Sequence, residues 1–223
     1  PPAQHPMWVG LSKAHAEEMS RAWGHVVVRH VYNGIDTEFY KQNGKPRGQR
    51  FLALARYTPE KGFMEAVQLA QRLRVPLDLY GDTEIVGDPN YPRRVMAMAD
   101  GLLLRANPGV SREMTVDLLS THKALLHLHQ WNEPLGLVVL EAMACGCPPL
   151  ASKRGGPVET IRQGETGFLV EDLAEAEELI KRDAFKDINP EVMRRHVEDN
   201  FSLKRFVDAW ENLLQEVAQG ARW

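Results

Sequence analysis

Glu133–Gly146 reads E-P-L-G-L-V-V-L-E-A-M-A-C-G, and its punctuation decides how the chain around it folds. A carboxylate stands in the Glu133-Pro134 turn, a permissive glycine follows at Gly136, and a run of helix formers ends at Gly146. Pro134 and Gly136 sit where a helix starts, and Gly146 where one stops. A helix opening near Gly136 offers unpaired backbone N–H groups and about half a positive charge to whatever lies before it. Such a terminus suits an anion, and a phosphate in particular. Glu141 falls about 7 Å further along the axis at about 1.5 Å per residue. One carboxylate therefore precedes the helix and another lies within it, with the anion site between them. A diphosphate flanked by two hydroxyl-bearing rings fits that layout, because carboxylates accept hydrogen bonds from sugar hydroxyls while N–H groups hold phosphates.

Working outward, short apolar runs alternate with helical patterns. Upstream, Met7–Ser12 reads as a strand, Ser12 as the cap of a helix over Lys13–Trp23, and valine-rich His25–Val31 as a second strand. Asp36–Gln49 is polar and glycine- and proline-bearing, as in a linker. Strands are then predicted at Phe51–Ala55, Leu77–Tyr80, Gly101–Leu104, Ala124–His129, Pro149–Ser152 and Gly167–Val170. Between them fall helices over Phe63–Leu73, Arg93–Ala99 and Arg112–Leu119 (capped by Ser111), and a short one carrying Glu159. The end of the chain is helical over Leu173–Lys181, Pro190–Glu198 (capped by Asn189) and Ser202–Val217. This alternation predicts an α/β fold, a doubly wound parallel sheet with C-terminal helices. Ligands in such sheets bind outside the C-terminal ends of the strands. The loops there are Arg56–Gly62, Gly81–Glu84, Asn107–Ser111, Gln130–Gly136 and Lys153–Gly156, and the chemically pointed residues fall in them.

Composition narrows the classes. With 43% hydrophobic and 26% charged residues among 223, the chain reads as an ordinary globular protein. A net charge of −3 supplies no basic field for nucleic acid. No run approaches the roughly 18 apolar residues of a membrane span. Pro1–Trp8 lacks the basic-then-apolar order of a secretion signal. The only cysteines, Cys145 and Cys147, stand too close for a disulfide framework and read as buried small-residue packing in a reducing compartment. A cytoplasmic setting, extending to the membrane surface, is expected.

Several ordered motifs together resemble one family. V-Y-N-G-I-D (Val31–Asp36) resembles an interdomain linker, A-R-Y-T-P-E-K-G (Ala55–Gly62) a diphosphate-binding loop, and Glu133–Gly146 an E-x7-E donor motif. G-G-P-V-E-T-I and G-E-T-G-F-L-V, within Gly155–Val170, resemble the family's segment C-terminal to that motif. The chain is thereby similar to glycosyl transferases group 1, the retaining, nucleotide-sugar-dependent enzymes of GT-B fold, mainly in their C-terminal donor-binding domain. The resemblance implies a nucleotide diphosphate sugar as donor substrate, UDP first, then GDP or ADP. The acceptor would be a saccharide, a lipid-linked group or a small molecule. It implies that Arg56 and Lys61 neutralise the diphosphate and, with Glu133, act in catalysis. The same resemblance places Gly81, Val110, Pro134, Leu135, Gly136, Leu137 and Val138 around the donor. Glu133 would accept from hydroxyls of the transferred sugar and Glu141 from the ribose. No D-x-D motif occurs, so no metal or other cofactor is expected to be required.

The family pattern is not matched everywhere. Pro-Ser often precedes the first glutamate where this chain has His129 and Gln130, and the usual Gly-x-Gly after the second strand is Gly81-Asp82-Thr83. The family also carries a full N-terminal acceptor domain. Residues 1–32 are expected to be its remnant, 33–49 the linker, 50–200 the Rossmann-like donor domain and 201–223 a C-terminal helix. The remainder would be absent from this chain or supplied by a partner chain. A GT-B epimerase or hydrolase, and a non-catalytic nucleotide-sugar-binding module, are the competing readings.

Plainer roles stand beside these. Arg56 and Lys61 also read as a solvated basic loop, and Glu133 as a helix-terminal charge. His127 and His129 alternate on one strand and read as packed or pocket-lining rather than metal ligands. His122 is expected at the surface. Trp131 reads as a stacking platform or an anchor, and Gly155-Gly156 as a ligand approach or a turn. Ser202–Trp223 reads as an amphipathic packing helix, with membrane-surface docking as its other reading.

Overall fold

The computed structural model describes residues 7–24, 26–82 and 88–223. The expected strand start at His25 and the loop residues Thr83 and Glu84 lie outside them. The chain begins with β1 (Trp8–Gly10), α1 (Lys13–Ala22) and β2 (Val28–His30), where β1 and β2 pair in parallel as a small separate sheet. After an irregular stretch the main layer runs β3 (Phe51–Leu54), α2 (Phe63–Leu73), β4 (Leu77–Gly81), α3 (Tyr91–Met96), β5 (Leu104–Pro108) and α4 (Arg112–Thr121). It continues as β6 (Leu125–His127), α5 (Leu137–Ala144), β7 (Pro149–Ser152), α6 (Pro157–Thr160) and β8 (Phe168–Val170). Helices α7 (Leu173–Lys181), α8 (Pro190–Phe201) and α9 (Leu203–Ala218) close the chain.

The main sheet has six strands in the order β5-β4-β3-β6-β7-β8, all parallel. The chain winds outward from β3 to β5, then returns to the middle and winds the other way from β6 to β8. The strand order therefore reverses between β3 and β6, and the loops after those two strands splay apart there. A crevice outside the strand ends at such a point is where doubly wound sheets bind ligands. The loops concerned carry Arg56–Gly62 and Gln130–Gly136.

Strand composition follows from burial on both faces. Phe51, Leu52, Leu77, Leu79, Leu125, Leu126 and Leu150 are all buried in one core, with helices covering either side. Cys145 and Cys147 pack in that core as free thiols, which burial pushes up to about 12 and about 11. His122 departs from its expected surface position. It is buried, with Nε2 3.0 Å from Asp78 Oδ2, and Arg50 Nε donates to Asp78 Oδ1 at 2.7 Å. A carboxylate inside β4 requires such partners, and no sequence pattern near His122 announced one.

Among the boundaries that move, two do so for evident local reasons. The strand expected at Gly101–Leu104 begins where that expectation ends. Asp100 Oδ1 accepts from the N–H groups of Leu102 and Leu104 at 2.8 and 3.0 Å, so Gly101–Leu103 form a turn. The strand then runs on through Asn107 and Pro108, because Pro108 sits at the end of an edge strand where its missing N–H costs little. Helix α3 starts at Tyr91 rather than Arg93, with Pro92 in its first turn.

The segment before β3 is tied down by defined bonds. Ser12 Oγ donates to Pro134 O at 2.6 Å, and Glu159 accepts from Lys13 N, Ala14 N and Tyr32 Oη at 3.1, 2.7 and 2.6 Å. A carboxylate from α6 thereby holds the start of α1 against the site loop. Residues 33–49 are held by Arg194 of α8, which donates to Thr37 O and Tyr40 O as well as to Ala144 O of α5, and through Arg47, which donates to Leu119 O, His122 O and Cys145 O. Helix α9 and the residues after it reach back to the small sheet through Arg29–Glu216 at 3.1 Å and Trp223 Nε1 to Trp8 O at 3.0 Å. No helix among the described residues is long and apolar enough to cross a membrane.

Candidate donor cleft

The loop after β3 is built to aim Lys61. Tyr57 is fully buried, its hydroxyl donates to Asn107 O at 2.9 Å, and its ring packs on Phe63 with centroids 4.5 Å apart. Pro59–Lys61 form one tight helical turn that ends at Gly62, in the left-handed region at φ 75°. A Cβ on Gly62 would stand 1.8 Å from Leu128 O, so only glycine lets this turn rest on the strand that leads to Glu133. Gln130 N donates to Glu60 O at 2.8 Å and locks the two loops together.

The second loop is pressed into place from behind. Gly156 N donates to Glu133 O at 2.7 Å. A Cβ on Gly155 would meet Glu133 O at 2.4 Å, and one on Gly156 would meet Leu135 Cα at 2.4 Å. The glycine pair thus serves the close approach of two protein loops and fixes the backbone of Glu133.

Three groups converge on one oxygen of Glu133. Lys61 Nζ lies 2.6 Å from Oε2, Trp131 Nε1 donates to it at 3.0 Å, and His127 Nε2 stands 3.6 Å away. None of these contacts engages Oε1. Lys61 also sits over the Trp131 ring, 5.0 Å from its centroid. The Lys61 and Glu133 side chains are only 11% and 10% exposed. Burial pushes the Glu133 carboxyl up, but His127 and Lys61 more than reverse this and hold it at about 2. A carboxyl brought from 4.5 to about 2 contributes stability that is complete above pH 4.5 and lost as pH falls through about 2. The contribution is on the order of 3 kcal/mol at neutral pH. Urea midpoints of wild type and Glu133→Gln are accordingly expected to keep a constant gap from pH 7 down to about 4.5, and to converge below it. A gap that persists unchanged to about pH 3 would contradict the assignment.

The cleft between these loops has a volume of about 310 Å³ and is lined by Arg56, Lys61, His127, Trp131, Glu133 and Pro134–Val138, with Leu11 and Asn33 at its rim. Helix α5 opens into it. Gly136 is its N-cap in the left-handed region at φ 82°, and no side chain caps the first turn. Of the expected site residues, Arg56, Lys61, Glu133, Pro134, Leu135, Gly136, Leu137 and Val138 are therefore brought together. Glu141 lies one turn beyond Leu137. Glu141 is outside the lining of the cleft; along α5 it shares only with Leu137 and Val138 a side that is not fully buried. Its neighbours there are Tyr40 and Arg112. Burial pushes its carboxyl up, against the Tyr40 hydroxyl and the Arg112 charge. Gly81 and Val110 stand apart from the lining. Gly81 packs beneath Tyr57, whose Cδ2 would be 2.7 Å from an added Cβ, and Val110 packs partly buried against the core.

The family model of glycosyl transferases group 1 matches residues 35–185, more than half of the chain. The chain belongs to that family. Among curated group 1 relatives, N-acetyl-alpha-D-glucosaminyl L-malate synthase of Bacillus anthracis is 26% identical over 208 residues, covering 85% of this chain and 54% of its own length. Solved structures repeat the fold at low identity. A glycosyltransferase from Rickettsia africae superposes with a TM-score of 0.81 at 18% identity, covering 96% of this chain and 64% of that one. HepE of Anabaena, crystallised with UDP-glucose, superposes with a TM-score of 0.79 at 19% identity, covering 94% and 64%. The architecture is thus the Rossmann-like part of a GT-B glycosyltransferase. This chain spans about half to two thirds of the length of these relatives.

One feature of the group 1 cleft went unread in the sequence. Tyr40 and Arg112 were not linked to Glu141, since one comes from the irregular stretch and the other from the start of α4. Their nearness to Glu141 is tertiary and has no local pattern. His127 and Trp131 each carry two readings in the sequence. Trp131 is a partner of Glu133 as well as a wall. His127 faces the cleft, whereas His129 is buried behind it with Nδ1 and Nε2 2.9 and 3.0 Å from the carbonyls of His127 and Arg154. Among the described residues no group of three or more His, Cys, Asp or Glu is placed to hold a metal ion.

Proposed function

We propose that this chain is the donor-binding part of a retaining glycosyltransferase that moves a sugar from a nucleotide diphosphate sugar, UDP-linked in the first instance, to an acceptor. One observation carries the proposal: two cations, a buried carboxylate and an uncapped helix N-terminus line the same crevice at the reversal of strand order. Arg56 presents a planar fork and Lys61 a compact charge to the diphosphate, and the first N–H groups of α5 complete the cradle. Oε1 of Glu133 accepts from hydroxyls of the transferred sugar, and Glu141 from the ribose. As the glycosidic bond breaks, the leaving nucleoside diphosphate gains charge. Cations and N–H dipoles already in position stabilise it more in the transition state than in the ground state, which is what accelerates the step. The complex of a structural relative with UDP-glucose supports UDP as the first choice. In a thermal-shift panel of UDP-glucose, GDP-mannose and ADP-glucose, at least one is expected to raise the melting temperature, the stabilisation growing with the logarithm of ligand excess and reaching about 2.7 kcal/mol at a hundredfold excess over Kd. No shift with any of the three would refute the proposal.

A further inference from the structure

Pro134 O stands where the site loop meets the mouth of α5, and its bond comes from outside the main layer. Ser12 Oγ donates to it at 2.6 Å, and no other hydrogen-bond donor among the described residues reaches it. Ser12 is fully buried, and its oxygen also accepts from His15 N at 3.1 Å. The amide supplies the proton of that second bond, so the single hydroxyl proton is left for Pro134 O. The carbonyl just before it is fixed from another side, Gly156 N donating to Glu133 O at 2.7 Å. Gly156 opens α6, whose Glu159 accepts from Lys13 N and Ala14 N at 3.1 and 2.7 Å. With His15 N on Ser12, the first three N–H groups of α1 are all taken up within the protein. These contacts form a closed ring. It runs from the Glu133-Pro134 turn to Gly156, through α6 to Glu159, across to the start of α1, and back through Ser12 to Pro134. Only Leu135, 2% exposed, separates Pro134 from Gly136, the N-cap of α5.

We infer that Ser12 is a positioning residue for the cleft, and that through it the start of α1 and a bound nucleotide sugar stabilise one another. The inference rests on the donor-binding role proposed above. Ser12 lies outside the cleft lining and acts through the Pro134–Leu135 peptide, which sets where Glu133 and the first N–H groups of α5 point. Without the hydroxyl a buried carbonyl is left unpaired, which is costly, and the peptide turns to find another partner. A turn of that kind displaces the mouth of α5, and a displacement of about 1 Å is enough to spoil a binding geometry. The coupling is reciprocal. A ligand that holds the cleft in its bound arrangement also holds α1.

The test is titration of UDP-glucose, GDP-mannose and ADP-glucose, well below the melting temperature, into wild type, Ser12→Ala and Asn189→Ala. Asn189 caps α8 at the other end of α5, where Gly146 meets Pro190, so its variant loses a cap without touching the ring. Ser12→Ala is expected to bind about tenfold more weakly than wild type, equivalent to about 1.4 kcal/mol, and Asn189→Ala to bind as wild type does. A Ser12→Ala affinity within about twofold of wild type, or an equal weakening in Asn189→Ala, overturns the inference. Hydrogen exchange on the wild type needs no variant to fold. Saturating nucleotide sugar is expected to slow the first-turn amides of α1, Lys13 to His15, at least about threefold more than those of α8. Equal slowing in the two helices also overturns the inference. Either failure leaves the donor-binding role standing, whereas failure of all three nucleotide sugars to bind wild type overturns that role and this inference together.

Discussion

Gly62→Ala is expected to lower the melting temperature by about 6–12 °C, although the change adds a single methyl group. Two costs add. At φ 75° a side chain enters the left-handed region, which costs about 1–2 kcal/mol. The new Cβ would also lie 1.8 Å from Leu128 O, and that neighbour is backbone in the central strand region, not a side chain that can swing aside. Overpacking of this kind costs about 1–3 kcal/mol or more. Together they reach at least about 3 kcal/mol, and each kcal/mol shifts a domain of this size by about 2–4 °C. The turn that carries Lys61 must move away from β6, so binding should weaken in parallel. Calorimetric melting of the variant checks the first effect. A shift below about 3 °C would mean that the turn does not rest on Leu128 as described.

Lys61→Met is expected to damage both stability and binding. In the unliganded protein it removes the cation nearest a buried carboxylate. Breaking such a pair costs about 3–5 kcal/mol, with the lower end expected here because Trp131 and His127 still face Glu133. In the complex it removes a charge-assisted contact to the diphosphate worth about 1.5–3 kcal/mol, equivalent to about 10- to 100-fold in Kd. Urea unfolding reads the first quantity and titration well below the melting temperature reads the second. Normal affinity alongside reduced stability would make Lys61 a structural residue only.

Legibility in the sequence followed how local each cause was. Helix α2 and its strand neighbours were readable because apolar spacing, a glycine and a strand-length run all lie within a few residues of each other. Ser12, Ser111 and Asn189 were readable as caps for the same reason, and each accepts from the N–H two or three residues on. The turn before Leu104 was not readable, because it depends on one Asp100 side chain bonding two N–H groups ahead and competing with an apolar run. In the site, Arg56, Lys61 and Glu133 could be named because they follow strands in a predictable layer. That both cations would share a crevice with Glu133 depended on strand order, which periodicity does not encode. The pairing of His122 with Asp78, and the setting of Glu141 beside Tyr40 and Arg112, belong to the same tertiary class. Resemblance to the family grouped Arg56, Lys61 and Glu133 around one donor, which local patterns could not.

The central claim is that one donor spans the cleft, its diphosphate at Lys61 and its ribose at Glu141. Isothermal titration of the best-stabilising nucleotide sugar into wild type, Lys61→Ala and Glu141→Ala tests it most directly. Both variants are predicted to bind at least about tenfold more weakly than wild type. Unchanged affinity in both would contradict the account.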